Sequence, residues 1–433
     1  MTCKLANWLF FISFSRSDYE RIPIFTGLGF PGKINVDVVI GGNSLSAEKI
    51  LITGGLGFIG MNVASLLVEQ GRNVLLFDNL SPQIHGVVPN LSSLSLLRNT
   101  NIEVVRGNVC RPDDWGAVLA GVDCVVHLAA ETGTAQSMYK IFRYTETNVG
   151  GTAMLLDFLA NHKHGVDKIV LASSRSVYGE GAYRCSRCGP VFPSMRSEQL
   201  FRSKRWQPEC PTCSSPIIAT ATAEEAKTSP ASIYAATKLA QEDLVRIASR
   251  ALGIPAVIFR LQNVYGEGQS LKNPYTGILS IFSNQLRCGK AVNLYEDGQE
   301  SRDFIHVSDV ARALVLGVTD NGANGSTLNV GFGQPTTVER VAVLLRERLG
   351  ATTQPVISGE YRLGDIRHGY ADITAIHRQL GFAPEVSLEQ GLDRFVTWVK
   401  QQPVEPDRLV AATQELISRG LMVEHVETEA TSV

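Results

Sequence analysis

Short apolar runs alternate with longer amphipathic stretches along the chain from Lys49 onward. The runs have the length and the Val, Ile and Leu content of buried strands, and helical patterns begin between them near Gly57, Pro112, Asn148 and Pro230. This alternation predicts an α/β fold, a Rossmann-type doubly wound parallel sheet. The predicted strands cover residues 49–53, 73–77, 102–106, 123–129, 168–173 and 256–261.

The regular alternation weakens after about residue 262, where glycine and proline become common. Helix-like segments near 274–288, 308–318, 337–349 and 388–400 predict a smaller C-terminal lid on the carboxyl edge of the sheet. The expected organisation is a poorly ordered N-terminal extension over 1–46, a Rossmann domain over 47–262, mainly the lid over 263–402, and a tail with one helix over 403–433.

The charges of the chain nearly cancel, with 40 Lys and Arg against 42 Asp and Glu. A broad basic surface for nucleic acid is therefore not expected. No apolar run has the roughly 18 residues that a membrane span needs, so no membrane partner is expected either. Residues 5–14 are apolar and follow Lys4, which leaves a signal peptide or anchor as an alternative. That stretch is short and lacks a clear cleavage site, so we predict a cytoplasmic protein.

Residues 183–216 interrupt the pattern and show neither a strand nor a helix period. They contain two CxxC pairs separated by 21 residues, and this spacing is close to that of a zinc ribbon. Four thiolates suit a closed tetrahedral site, so we predict structural zinc held by Cys185, Cys188, Cys210 and Cys213.

Two alternatives to structural zinc remain open for this insert. The pairs could be redox-active, although the βαβ context of thioredoxin-like motifs is missing. A zinc ribbon can also bind nucleic acid or a protein, and the insert has a basic stretch formed by Arg196, Arg202, Lys204 and Arg205.

A glycine-rich turn follows the first predicted strand, with the sequence Thr-Gly-Gly-Leu-Gly-Phe-Ile-Gly over residues 53–60. Glycines spaced GxxGxxG between a strand and a helix form a tight turn and let a pyrophosphate approach the helix N-terminus. Asp78 ends the second strand, 18 residues after Gly60, where a carboxylate can bind ribose hydroxyls and repel a 2′-phosphate. This pattern predicts NAD rather than NADP. The alternative is that Asp78 is only a turn residue.

Tyr234 and Lys238 are four residues apart and therefore neighbours on one helix face. An ammonium close to a phenol favours the phenolate, which makes such a pair suitable for acid/base chemistry. Ser173 and Ser174 end a predicted strand that should lie beside the cofactor, where a hydroxyl can hold a substrate oxygen. Together with the glycine turn, these residues predict hydride transfer.

These motifs resemble the extended short-chain dehydrogenase/reductase family of nucleotide-sugar enzymes. The likeness runs from about Lys49 to about Lys400 and rests on TGGLGFIG, FDN (77–79), HLAA (127–130), NVGGT (148–152), SSRSVYG (173–179) and YAATK (234–238). The resemblance implies a catalytic triad of Ser174, Tyr234 and Lys238. It also implies an NAD site made of Gly54, Gly57, Phe58, Ile59, Gly60, Asp78, Asn79, Asn108, Val109, Leu128, Ala129, Ala130, Asn148, Tyr234 and Lys238.

Three motifs after the sixth predicted strand suit a nucleoside diphosphate: Arg260 to Gly266, Ser301 to Phe304 and Arg362 to Asp365. These lid motifs resemble the nucleoside-diphosphate clamp of the same family. The resemblance places Asn263 and Arg302 on the pyrophosphate and Arg362 and Asp365 near phosphate and ribose, with Ser174 on the sugar. Arginine suits phosphate oxygens and aspartate suits ribose hydroxyls. Each of these residues alone would be equally typical of a surface ion pair.

The reaction type depends on the two residues after Ser174. Similar 4,6-dehydratases carry an Asp-Glu pair there, whereas this chain has Arg175 and Ser176. The resemblance therefore implies an isomerase, an NAD-dependent nucleotide-sugar 4-epimerase, that works as a homodimer. The insert and the stretch 127–139 are also similar to a group of epimerases acting on dTDP-L-rhamnose. The alternatives are a dehydratase or decarboxylase of the same family, and an NAD-binding sensor that contacts a partner through the insert.

Overall fold

The computed structural model describes residues 48–86, 95–275, 277–406 and 409–423. The predicted N-terminal extension, with its apolar stretch, and the end of the tail lie outside these residues. Within the described part of the chain, no helix is both long enough and apolar enough to cross a membrane.

Residues 48–182 form five strands of a large sheet with helices between them. The strands are β1 Lys49–Thr53, β2 Asn73–Asp78, β3 Ile102–Arg106, β4 Cys124–His127 and β5 Lys168–Ser174. The helices are α1 Phe58–Glu69, α2 Pro82–His85, α3 Pro112–Val118, α4 Thr134–Ser137, α5 Ile141–Tyr144 and α6 Gly151–Asn161. A π-helical turn over Thr145–Gly150 joins α5 to α6, and short 3₁₀ turns cover Ser95–Arg98 and Arg175–Tyr178.

Residues 183–219 form a small antiparallel sheet in the order β7–β6–β8, with one short helix. These elements are β6 Tyr183–Cys185, β7 Gly189–Val191, α7 Glu198–Arg202 and β8 Ile217–Ala219. The sequence shows no strand or helix period here because strands of three residues are too short to produce one.

The remaining chain completes the large sheet and builds the lid. Its strands are β9 Ala256–Leu261, β10 Asn263–Tyr265, β11 Asn293–Leu294, β12 Ser301–Arg302, β13 Phe304–His306, β14 Thr327–Val330, β15 Thr336–Thr337, β16 Val356–Ile357, β17 Tyr361–Arg362, β18 His368–Gly369 and β19 Met422–Val423. Its helices are α8 Ile233–Leu252, α9 Ile278–Arg287, α10 Val307–Thr319, α11 Val338–Leu349, α12 Thr374–Leu380, α13 Leu388–Lys400 and α14 Leu409–Ser418.

The large sheet has seven parallel strands in the order β14–β9–β5–β4–β1–β2–β3. This order is that of a doubly wound Rossmann sheet with one added strand, and the direction of winding changes between β1 and β4. Successive residues of β1 enter different cores: Ile50 and Ile52 pack on one face of the sheet and Leu51 on the other. The predicted fold class is confirmed, and all six predicted strands are present.

One strand of the sheet is missing from the sequence prediction. β14 pairs with β9 although it comes from the region assigned to the lid, and α10 just before it packs on α1. The sequence pattern does not predict this strand, because it has only four residues and the polar Asn329 lies within it. Residue 262 is therefore not a clean boundary, since the segment 307–330 returns to the Rossmann sheet.

The C-terminal elements α14 and β19 contact both the lid and the N-terminal half of the chain. β19 pairs antiparallel with β17, so Met422 lies opposite Arg362. The Glu415 carboxylate in α14 accepts hydrogen bonds from the hydroxyls of Tyr139 at 2.9 Å and Tyr275 at 3.1 Å. The last described segment is thus anchored at two places by polar contacts.

Candidate active site

The carboxyl ends of the parallel strands open into a cleft of about 570 Å³. The glycine turn forms its floor. Gly54 has φ +65°, and a Cβ there would lie 3.0 Å from the backbone of Ala129. A Cβ on Gly60 would lie 2.6 Å from the Gly55 carbonyl oxygen. Side chains are therefore excluded at 54 and 60, and the backbone at the start of α1 is left open to a ligand, as a pyrophosphate requires.

Asp78 lies at the end of β2 beside this turn and is 7% exposed. Its Oδ2 accepts from Leu56 N at 3.1 Å and its Oδ1 from Leu80 N at 2.8 Å. The carboxylate thus fixes its own turn and the glycine turn, and it also lines the cleft. The contacts of Asp78 therefore fit both a ligand for the cofactor ribose and a residue that stabilises its own turn.

All but two of the residues predicted for the NAD site line the cleft. Those that do are Gly54, Gly57, Phe58, Ile59, Gly60, Asp78, Asn79, Val109, Leu128, Ala129, Ala130, Tyr234 and Lys238. The two exceptions, Asn108 and Asn148, make contacts within the protein. Asn108 Oδ1 accepts from Cys110 N at 3.0 Å and its backbone N–H donates to Asp114 at 2.7 Å, so it shapes the start of α3.

Asn148 is fully buried in the π-helical turn. Its Oδ1 accepts from Glu131 N at 2.7 Å, and its Nδ2 donates to Glu131 O at 3.1 Å and to Thr237 Oγ1 at 2.9 Å. Asn148 therefore connects the loop after β4 to α8, next to Lys238. In this structure it is a positioning residue rather than a cleft residue.

Tyr234 and Lys238 lie in the first turns of α8, which Ser232 caps by accepting from Ala235 N at 3.1 Å. Lys238 is 3% exposed, and its Nζ donates to the Ala172 carbonyl at 2.9 Å. Burial lowers the pKa of Lys238 to about 8, although the carboxylate of Glu242 opposes this change. The ammonium is thus held by the backbone of β5.

Three influences act on the phenol of Tyr234. Burial is the largest and raises the pKa of Tyr234 above its ordinary value, while a hydrogen bond with Ser174 and the charge of Arg175 oppose this change. Ser174 and Arg175 therefore act in the direction that the sequence predicts for Lys238. Ser174 Oγ also accepts from Ser176 N at 3.2 Å and from Ser176 Oγ at 3.0 Å, which fixes its direction at the end of β5.

A buried ion pair supports the strand that carries these serines. Glu242 is fully buried and accepts from Arg260 Nε at 3.0 Å and Nη2 at 2.8 Å, and from Ser173 Oγ at 2.5 Å. Arg260 also donates to the hydroxyl of Tyr178 at 2.9 Å. The sequence analysis groups Arg260 with the lid motifs for phosphate. That expectation is wrong, because its guanidinium is committed to Glu242 and Tyr178 beneath the sheet edge.

The substrate residues predicted on the lid gather around one carboxylate. Arg302 Nη2 donates to Asp365 Oδ1 at 2.9 Å and to the carbonyl of Ile366 at 2.8 Å. Burial works against ionisation of Asp365, yet the pKa of its carboxyl is lowered because four arginines surround it. They are Arg302, Arg362, Arg196 and Arg175. We call three of them, Arg302, Arg362 and Arg175, the arginine cluster; the fourth, Arg196, belongs to the cysteine insert.

The sequence analysis assigns no binding role to Arg175, the member of the cluster that lines the cleft. Its Nε donates to Asn263 Oδ1 at 2.9 Å, and both residues line the cleft beside Tyr234. Burial lowers the pKa of Arg175 to about 10, so it remains positive at neutral pH. The only signal in the sequence is a basic residue directly after the catalytic hydroxyl.

Arg362 stands over the ring of Tyr295 at 4.6 Å and donates to its hydroxyl at 3.0 Å. The Nε of Arg362 is buried and has no hydrogen-bond partner within the described residues. Its guanidinium therefore keeps a donor that an anionic oxygen could use.

The four cysteines of the insert converge on one point. Their Sγ atoms all lie within 4.8 Å of one another, and those of Cys185 and Cys213 are 3.6 Å apart. Zn–S bonds of about 2.3 Å in a tetrahedron place sulfur atoms about 3.8 Å apart, so the arrangement fits a Cys₄ site. Two separate CxxC redox pairs would not require all four thiols to meet.

The basic stretch of the insert is only partly exposed. Arg196 is buried between Glu180 and Glu296, whereas Arg202 and Arg205 are exposed and pair with Glu198 and Glu209, each four residues away. The alternative that this stretch binds nucleic acid stays a prediction from the sequence.

The fold and the cleft together are those of an NAD-dependent enzyme. A tyrosine and a lysine, both on α8, line the same cleft as the dinucleotide-binding turn. Residues 50–197 and 201–331 match the NAD dependent epimerase/dehydratase family, and the chain belongs to this family.

A dTDP-L-rhamnose 4-epimerase from Burkholderia thailandensis is 38% identical over 360 residues, which cover 83% of this chain and 96% of that protein. The structure is similar to that of the UDP-glucose 4-epimerase of Thermotoga maritima with UDP-glucose. The TM-score is 0.66 at 28% identity, covering 82% of this chain and 99% of that one. A mutant UDP-glucuronic acid 4-epimerase from Bacillus cereus, in complex with a UDP-sugar analogue and NAD, gives a TM-score of 0.67 at 25% identity and covers 82% and 99%. The predicted family and isomerase class are confirmed.

Proposed function

We propose that this protein is an NAD-dependent nucleotide-sugar 4-epimerase that acts on a dTDP-sugar of the L-rhamnose type. One observation supports the reaction type most strongly. Ser174, Tyr234 and Lys238 meet at the cleft, and among the described residues its lining offers no free carboxyl group. Of its two acids, Asp78 is bonded to the turn backbone and Glu131 pairs with Arg143 at 2.7 Å. Elimination of water would need such a group as acid or base, and epimerisation does not.

Each residue of the site has a defined task in this reaction. NAD, held by the glycine turn and Asp78, supplies a reversible hydride acceptor. Tyr234 takes the proton from the C4 hydroxyl and returns it; Ser174 and Arg175 favour its phenolate form and oppose the effect of burial on its pKa. Ser174 holds the C4 oxygen during both transfers. Lys238, fixed on the Ala172 carbonyl, adds positive charge beside the cofactor.

The arginine cluster gives the lid a positive charge suited to a diphosphate. Arg175 and Asn263 lie at the cleft, and Arg302, Arg362 and Asp365 lie close to them. When the diphosphate is bound tightly and the neutral keto-sugar only weakly, the sugar ring can rotate between the two hydride transfers while the substrate stays bound. Of the predicted substrate residues, Ser174 and Asn263 line the cleft, whereas Arg302, Arg362 and Asp365 are not among its lining residues.

The proposed function is tested by incubating the NAD-loaded enzyme with dTDP-L-rhamnose and with a panel of dTDP- and UDP-hexoses. NMR of the products should show inversion at C4 with no net change in NAD. Products that retain the configuration at C4 but have lost water or carbon dioxide would support the dehydratase or the decarboxylase instead. Absence of turnover on every sugar, with NAD bound, would favour the sensor.

We also propose that the four cysteines hold one structural zinc ion. Four thiolates leave no open position for water or substrate, so the metal would stabilise the insert and take no part in hydride transfer. The Cys210→Ser variant should lose most of its zinc and unfold at a lower temperature, and elemental analysis with thermal unfolding measures both. Cys288→Ser, an exposed cysteine outside the insert, is the matched control. Metal-free wild-type enzyme with an intact insert would contradict the proposal.

A homodimer is the third proposal. Ile141 and Phe142 in α5 and Ile247 in α8 are 50%, 76% and 68% exposed, which is unusual for side chains of this size. Covering them against a second copy would remove this apolar surface from water. A cytoplasmic location stays a prediction from the sequence.

A further inference from the structure

The cysteine insert lies against the segment 361–368, which carries Arg362 and Asp365. We call this segment the nucleotide loop. One end of it pairs through the two-residue β17 with β19, at the far end of the chain. Its other end is held by Arg302, which donates to the carbonyls of Ile366 at 2.8 Å and Arg367 at 3.1 Å. Gly364 adopts φ +83°, and the hydrogen bond from Asp365 N to Arg362 O is long at 3.3 Å. The position of this loop therefore depends on its neighbours.

Arg196 is a buried polar link between the insert and the nucleotide loop. Its side chain is 1% exposed, and its Nη2 donates to the Asp365 carbonyl at 3.0 Å. Its other nitrogens bind Glu296 Oε2 at 2.8 Å, the Trp206 carbonyl at 2.8 Å and Glu180 Oε1 at 3.2 Å. Each nitrogen has a partner, so this arginine connects the insert, the residues before it and the loop in one network.

Phe201 provides a second, apolar link that does not depend on charge. It is 1% exposed in α7, and its ring stacks on Tyr361 with centroids 4.8 Å apart and planes inclined by 5°. The Arg196 guanidinium lies 4.5 Å from the centre of the same ring. The polar and apolar contacts therefore act on residues 361 and 365, on either side of Gly364.

We propose that Arg196 and Phe201 make the insert a brace that holds the nucleotide loop in its binding arrangement. The inference rests on the proposed function, since it assumes that Arg362 and Asp365 bind the nucleotide. Arg196 is a positioning residue that acts through Asp365. The insert should therefore set the affinity for the nucleotide part of the substrate, while the cleft residues Ser174, Tyr234 and Lys238 set the rate of the chemical step.

The test compares Arg196→Met with Arg205→Met in the full-length, NAD-loaded enzyme. Arg205 is an exposed arginine of the same insert that pairs with Glu209, so its loss is the matched control. Calorimetry with UDP and with dTDP measures binding without turnover. For Arg196→Met we expect a dissociation constant raised roughly 10- to 100-fold, as the loss of one hydrogen bond to a charged group would give. The turnover number at saturating substrate should change by less than about twofold.

Phe201→Leu provides an independent variant in case Arg196→Met does not fold. It keeps an apolar side chain but loses the stack on Tyr361, and it should also weaken diphosphate binding at unchanged turnover. Arg196→Lys should restore part of the affinity by keeping the charge. Wild-type affinity in folded Arg196→Met or Phe201→Leu enzyme, or a fall in turnover with unchanged affinity, would overturn the brace.

The outcomes for the brace and for the proposed function can be told apart. Weakened UDP or dTDP binding in the variants of an enzyme that inverts no sugar would support the brace and refute the epimerase. Unchanged binding in variants of an active epimerase would refute only the brace. A wild-type holoenzyme that binds neither diphosphate would overturn both.

Discussion

Tyr234→Phe should reduce the turnover number by about 10²- to 10⁴-fold while NAD stays bound, the range typical of general acid/base catalysis. The ring would keep its place in the first turn of α8 and its packing against Tyr144, 6.5 Å away between centroids. Only the hydroxyl that moves the proton would be lost. Steady-state kinetics and the NAD content of the purified variant measure the two effects.

Tyr144→Phe is the matched control for this substitution. Tyr144 is fully buried near the same cleft, and its hydroxyl donates to the Thr132 carbonyl at 2.6 Å. Removing that hydroxyl takes away a hydrogen bond but no proton carrier, so turnover should remain within about an order of magnitude of the wild type. Equal losses in the two variants would show that packing, rather than proton transfer, accounts for the effect of Tyr234.

Glu242→Gln should give the largest loss of stability, lowering the free energy of unfolding by about 3–5 kcal/mol. The amide has almost the same shape, but it leaves the Arg260 guanidinium buried without a counter-charge. Arg260 is 4% exposed and cannot reach water without moving β9 or α8. Urea denaturation of the variant, followed by circular dichroism, measures the change.

Glu103→Gln is the control for charge removal in general. Glu103 pairs with Lys49 at 3.1 Å, and the two side chains are 54% and 31% exposed. Exposed pairs contribute at most about 1 kcal/mol, so this variant should unfold close to the wild type. If Glu242→Gln were no less stable than this control, the buried pair would not support the sheet edge.

The sheet could be predicted from the sequence because most of its strands are buried on both faces and therefore form continuous apolar runs. The glycine turn and the Tyr234–Lys238 pair could also be predicted from the sequence, since each depends on local spacing. β14 could not be predicted, because four residues that include Asn329 resemble a loop. Its place in the sheet is determined by pairing with β9 and not by its own pattern.

The partners of the arginines could not be predicted from the sequence. Arg260 and Arg302 looked equivalent, yet one is bound to Glu242 beneath the sheet and the other to Asp365 on the lid. Arg175 is brought to Tyr234 by the short 3₁₀ turn after β5, and Arg196 reaches the lid by the folding of a 37-residue segment. Each outcome depends on contacts between distant parts of the chain, which one sequence does not encode in any local pattern.

The anchoring of β17 by β19 has a consequence for the order in which the protein is completed on the ribosome. All seven strands of the large sheet, with the glycine turn, α8 and α10, have been synthesised once residue 330 has emerged, so the cofactor half of the site can fold before the end of the chain is made. The nucleotide loop has to wait for Met422 and Val423, its strand partners near the end of the chain. Biosynthesis thus separates the two halves in time: a nascent chain gains the means to hold a cofactor well before it can close on a sugar nucleotide.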